Sequence, residues 1–280
     1  MARLQNSWRL VKASWAVLRS DKELVIFPVV SMIGAMLVTI AFIVPMFAAG
    51  LVDALMTGSD NGLVTLIVVF LFYLVMYFVV IFCNTALIGA ATIRLNGGDP
   101  TLSDGFKIAF ERTGVILGYA LISATVGMVL RALSERAGIL GQIVISIIGF
   151  VWNVATFLVV PVLVVENIGP VEAIKRSAAL LRKTWGEQLI GNFSIGLVFG
   201  LLALLVILVS VPLYIVAASA DSVAMILALV LVNVVALVGL SLVSSALNGI
   251  YQAAVYRYAA NGEASMYFSD DLIQGAFRRK

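Results

Sequence analysis

The chain has 280 residues, 62% of them hydrophobic and 12% charged, with a mean hydropathy of +1.11 and a formal net charge of +3 at pH 7. A soluble domain carries about a quarter charged residues, so this composition excludes an ordinary globular fold and specifies a polytopic membrane protein. Histidine is absent and Cys83 is the single cysteine, which removes the commonest general base and rules out an intrachain disulfide, a zinc cluster or an iron–sulfur centre.

Taken in order, residues 1–23 carry Arg3, Arg9, Lys12, Arg19 and Lys22. Leu4, Trp8, Val11, Trp15 and Leu18 recur among them at steps of four and three, which predicts an amphipathic helix lying in the membrane plane. The apolar run that follows is longer than the ~7–15 residues of a secretory h-region, so no cleaved signal peptide is expected. Six runs reach the ~20 residues needed to cross a hydrocarbon core: 24–52, 63–93, 114–133, 139–165, 188–217 and 223–255. Pro28, Pro45, Pro161 and Pro212 mark kinks or ends within them. Cys83 falls inside the second run and reads as a small packing residue.

Charge placement predicts the orientation. With a cytoplasmic N-terminus, the inner segments hold sixteen Lys and Arg and the outer loops hold two, Arg131 and Arg136. That asymmetry places both termini in the cytoplasm of a bacterial inner membrane. No Asp, Glu, Lys or Arg lies in the middle of a predicted span, which counts against ion-coupled transport and proton pumping.

The inner returns share a grammar. The second run ends in Arg94-Leu-Asn-Gly-Gly-Asp-Pro100, the fourth in Glu166-Asn-Ile-Gly-Pro170 and the sixth in Arg257-Tyr-Ala-Ala-Asn-Gly-Glu263. Asn and Gly stop a helix, and Pro suits the first turn of the next. After Pro100, Leu102, Phe106, Ala109, Phe110 and Thr113 form a second amphipathic stretch, with Lys107 and Arg112 beside it. After Gly169, Val171, Ile174, Ala178, Leu181 and Trp185 share one predicted face of a third, with Lys175, Arg176, Arg182 and Lys183 on the others. We therefore expect a single six-span domain over 1–262, built from units 1–93, 94–165 and 166–262, and a cytoplasmic tail over 263–280.

Chemistry-bearing motifs are sparse. Asn96-Gly97-Gly98-Asp99 lacks the strand and the Lys-Ser/Thr of a phosphate loop and reads as a turn. The carboxylates of Asp99, Asp104, Glu111, Glu166, Glu172 and Glu187 form no recognisable acid–base or metal set and are expected to pair with neighbouring cations. No catalytic residue, cofactor or metal site is assigned. Two other sets stand out. Trp8, Trp15, Trp185, Lys175, Arg176, Arg182 and Lys183 suit an anionic lipid interface, Trp152 being the one tryptophan placed in a span. Asn84, Asn153, Asn233 and Asn248, with Asn192, Thr85, Thr156 and Gln142 nearby, either line a shared polar cavity or bond between helices. Gly114/Gly118 and Gly196/Gly200 read as close helix packing.

Glu172-Ala-Ile-Lys-Arg-Ser-Ala-Ala-Leu-Leu-Arg-Lys-Thr-Trp-Gly-Glu187, with Tyr256-Arg-Tyr-Ala-Ala-Asn-Gly-Glu263, resembles an uncharacterised bacterial six-span integral membrane family, the domain of unknown function numbered 6159. A more distant likeness links the helix before the fifth span to the membrane domain attached to some glycerophosphodiester phosphodiesterases. The resemblance implies the architecture and supplies no catalytic residues. The expected protein is all-α and non-enzymatic, a membrane-organising or accessory scaffold engaging anionic inner-leaflet lipid and a protein partner at the cytoplasmic face, with no nucleic acid. The alternative is a transporter or channel for a small neutral or amphipathic molecule. A lipid-modifying enzyme would need carboxylates that folding brings together.

Overall fold

The computed structural model describes residues 2–50, 62–185, 194–262, 265–269 and 272–273, with the side chains of 2–7, 185, 194, 195 and 197 outside that description. Asn192, Glu187, and the side chains of Leu4 and Trp185 therefore lie outside the described residues. Every regular element among those described is helical: α1 (Ala2–Ser20), a 3₁₀ turn (Lys22–Val25), α2 (Ile26–Ala48), α3 (Gly62–Leu95), α4 (Leu102–Glu111), α5 (Thr113–Arg136), α6 (Ile139–Ala155), α7 (Val159–Val165), α8 (Pro170–Trp185), α9 (Ser194–Ser219) and α10 (Val223–Asn261). Six of the helical stretches are long and apolar enough to cross a membrane, α6 and α7 together forming the fourth. The chain is a polytopic all-α protein.

The spans differ in length, and the difference locates the core. At 1.5 Å per residue, α3 with 34 residues is about 51 Å long and α10 with 39 residues about 58 Å, against a hydrocarbon thickness of about 30 Å. Their buried residues gather at one end. There Ile81–Leu95 of α3, Val159–Leu163 of α7 and Ala246–Ala259 of α10 hold the buried residues, joined by Leu10, Val17 and Leu18 of α1 and by Phe268 and Ile273 of the tail. The other half of the bundle leaves its apolar side chains bare: Phe47, Leu63, Leu140, Leu208 and Leu231 are all exposed. Lipid tails are as apolar as leucine, so those halves gain little by packing on each other.

Small residues bring the core together. Gly249 of α10 meets α3 so closely that a Cβ there would stand 2.4 Å from Leu87 Cδ2. Gly105 of α4 sits in the angle between α2 and α3, where a Cβ would lie 2.5 Å from Phe27 Cζ and 2.8 Å from the Ala86 carbonyl oxygen. Phe106 beside it packs on Phe27, ring centroids 5.1 Å apart. The helices outside the spans take corresponding seats: α4 lies on α3, α8 on α7, and α1 on α10 and α9.

The helix ends follow the chain's own signals. Gly97 and Gly262, after Asn96 and Asn261, take positive φ of 88° and 75° and end α3 and α10. Pro170 occupies the first turn of α8 as predicted, whereas Pro100 precedes its helix. Thr101 is the N-cap of α4 and shares a capping box with Asp104. Pro161 interrupts the fourth span through residues 156–158, which turn before α7 begins. The Leu158 N–H freed by that break donates to Ser177 Oγ of α8 at 3.0 Å, with both residues fully buried.

Asp21 closes α1 in an unusual setting for a carboxylate. It is 7% exposed and its Oδ2 has no hydrogen-bond partner. Burial pushes its pKa above the ordinary aspartate value, with Arg94 opposing the shift. The folded state thus holds this proton more readily than the unfolded chain, so stability rises as pH falls through the Asp21 titration and the ionised form is a cost above it. Asp21→Asn should raise the melting temperature at pH 8 in detergent micelles, and the advantage should shrink on acidification. Ser177→Ala should destabilise by about 1–3 kcal/mol, the cost of leaving the Leu158 N–H unsatisfied, as read by denaturant-dependent unfolding.

Candidate functional site

Three arginines at the packed end, Arg94, Arg112 and Arg257, act as fasteners between units, and a fourth, Arg176, bonds within its own. Arg94 donates to the Ser20 carbonyl at 2.8 Å, to the Gly98 carbonyl at 3.1 Å and to Asp99 Oδ1 at 2.9 Å. Arg257 reaches across from α10 to the Leu95 carbonyl and Asn96 Oδ1, and Arg112 donates to Asn167 Oδ1. Arg176 Nε bonds both oxygens of Glu166 at 3.0 and 3.1 Å, and Tyr256 Oη donates to the same carboxylate at 3.0 Å. The Asn of each of the first two inner turns therefore accepts from an arginine of another unit. Arg176, one of the residues expected at a lipid surface, is exposed and joins this network.

The surface helices turn different faces outward than their periodicity predicts. In α1 the buried face is Leu10, Val11, Ser14, Val17 and Leu18, so Val11 and Leu18 of the predicted stripe lie inside while Trp8 and Trp15 are each 49% exposed. The reason is that Leu and Val answer to the protein core, whereas an indole is equally at home at a headgroup. The outward stripe reads Trp8, Lys12, Trp15, Arg19, at steps of four, three and four. In α8 the buried positions are Ala173, Ser177, Leu180 and Leu181; Val171 is 53% exposed and Ala178 sits at the edge. Lys175, Arg182 and Lys183 project outward. Trp185 ends the helix.

The asparagines separate into two classes. Asn233 is used within the fold, donating to the Leu229 carbonyl at 3.0 Å and to Tyr214 Oη at 3.3 Å. Asn153 lies exposed on α6. Asn84 of α3 and Asn248 of α10 face one cleft of about 440 Å³ between α3, α9 and α10. Ser241, Ser244, Ser245 and Gln252 line it with them, residues that sequence reading passed over. Their spacing along α10 was the available signal: a polar stripe at helical period in an otherwise apolar span. Asn248 Nδ2 reaches Ser244 Oγ at 3.5 Å, while among the described residues the side chains of Asn84, Ser241, Ser245 and Gln252 have no protein hydrogen-bond partner.

The opposite wall corrects a second expectation. Gly196 and Gly200 of α9 were predicted to pack against a neighbouring helix, yet a Cβ at either would meet nothing within 4 Å, and both line the cleft. Gly114 is open as well. Gly118 does pack closely, its Cβ position 2.9 Å from Pro170 Cγ.

The carboxylates are occupied locally: Asp99 with Arg94, Glu166 with Arg176, and Asp104 with its capping box, which pulls its pKa below the usual value. Among the described residues no three His, Cys, Asp or Glu side chains gather where they could hold a metal.

No curated protein and no solved structure matches this chain, and the likeness to phosphodiesterase-associated membrane domains gains no support. One family model does match, over residues 63–266, which takes in five of the six spans, α4, α8 and the cleft. The chain is a member of the family of unknown function DUF6159.

Proposed function

We propose that this protein organises lipid at the cytoplasmic leaflet of a bacterial inner membrane, without catalysis, using the outward faces of α1 and α8. The observation that carries this reading is the Trp8–Lys12–Trp15–Arg19 stripe, which points away from the protein although the same helix buries Leu10, Val17 and Leu18. A helix anchored on one side by protein and armed on the other with indoles and cations is suited to hold anionic headgroups. Each Lys or Arg near an anionic leaflet contributes about 1 kcal/mol. Lys175, Arg182 and Lys183 extend the same chemistry onto α8. The sixteen-to-two distribution of basic residues supports a cytoplasmic position for this end and for both termini. A protein partner would meet the same surface, where the charged turns are presented.

The carrier reading is favoured by the cleft alone. Asn153 and Asn233 contribute nothing to a continuous path, so the polar route it needs is reduced to one recess.

The test uses full-length protein in nanodiscs with Trp152 and Trp185 replaced by Phe, so that emission reports Trp8 and Trp15. Phosphatidylglycerol with brominated chains should quench it more strongly than brominated phosphatidylcholine at equal mole fraction. Replacing Lys12, Arg19, Lys175, Arg182 and Lys183 by Gln should abolish the difference; equal quenching by both lipids in the parent protein contradicts the proposal.

A further inference from the structure

The cleft between α3, α9 and α10 has a chemistry that the basic helices do not share. Its volume of about 440 Å³ falls in the range of sites for small ligands. Among the described residues, no Asp, Glu, Lys or Arg lines it. Its polar groups are carboxamides and hydroxyls, which both donate and accept, and most of them have no protein partner among the described residues. The lining is also graded along α10. Leu237 and Leu240, with Ala203 opposite, occupy the end toward the middle of the span, while Asn248 and Gln252 occupy the end toward the packed core. From residue 237 to 252 that gradient extends over about 22 Å of helix.

We propose that this cleft binds one amphiphile whose headgroup is uncharged and rich in hydroxyls, a lipid of the diacylglycerol or glycosyl-diacylglycerol class. The headgroup hydroxyls exchange hydrogen bonds with Asn84, Ser245, Asn248 and Gln252, and an acyl chain lies along Leu237 and Leu240. An anionic headgroup is disfavoured, because burying a phosphate without a facing cation leaves its charge uncompensated. The two glycines give the cleft its width. Because the space in front of Gly200 is open, a larger side chain there fills the site without colliding with the fold. This inference is independent of the anionic-lipid reading: it concerns another surface and another headgroup chemistry.

The experiment measures binding of radiolabelled dioctanoylglycerol, its monoglucosylated derivative and dioctanoylphosphatidic acid to full-length protein in phosphatidylcholine nanodiscs. Wild-type protein should bind at least one of the uncharged lipids saturably, one per chain, at least tenfold more tightly than the phosphatidic acid. Gly200→Leu should abolish the saturable component, and Asn248→Leu should weaken it at least fivefold. Both variants should keep the wild-type melting temperature and the brominated-lipid quenching of Trp8 and Trp15. Absence of saturable binding by either uncharged lipid, equal binding of phosphatidic acid, or undiminished binding by a folded Gly200→Leu protein would overturn the proposal. Should Gly200→Leu fail to fold, Asn248→Leu with Gln252→Leu decides by the same readout.

Discussion

The close approach of α3, α7 and α10 at one end of the bundle is the constraint on which the rest of the structure depends. In a bilayer the outer halves of the spans have no hydrophobic reason to prefer each other over lipid. Cohesion must come from contact at short range, and contact at short range needs small side chains. Gly249 against Leu87, with Ala86, Ala90, Ala91, Ala246, Ala253 and Ala254 around that crossing, supplies it. The ends of α3 and α10 that carry these residues form a compact protein core with α1 and α7.

The positions of α1, α4 and α8 are consequences of that core. Each helix covers the packed end of a central span, and the turns at Asn96 and Asn167 are held by arginine bonds that cross between units. Polar groups freed by a local irregularity are caught nearby: the break before Pro161 leaves the Leu158 N–H, and Ser177 takes it. With their inner faces committed to packing, α1 and α8 have only their outer faces left for anything else. On α1 that face is Trp8, Lys12, Trp15 and Arg19.

Much of this was legible in the chain. Six apolar runs of spanning length translate directly into six spans, and Asn-Gly at the ends of α3 and α10 stops helices where the residue types say it should. The faces of the surface helices were less legible, because a periodicity count treats Trp as apolar without distinguishing a protein core from a membrane interface. Trp8 and Trp15 consequently fall outside the buried stripe. The cleft was hidden for another reason. Whether Gly200 meets a neighbouring helix or empty space is a tertiary fact that no spacing encodes, and the same small-xxx-small pattern packs tightly at Gly118. The polar stripe on α10 was visible in the spacing of Ser241, Ser244, Asn248 and Gln252, but its partner wall was not.

These elements combine into one claim: α10 turns one side to a closed core and the other to an open polar cleft. Single cysteines in a Cys83→Ala background test it most directly, with labelling by a small uncharged maleimide in nanodiscs. Cysteines replacing Ser245, Asn248 and Gln252 should react, and those replacing Ala246, Ile250 and Ala254, all buried at 2% exposure or less, should not. Equal labelling of the two sets, or protection of both, would contradict the account.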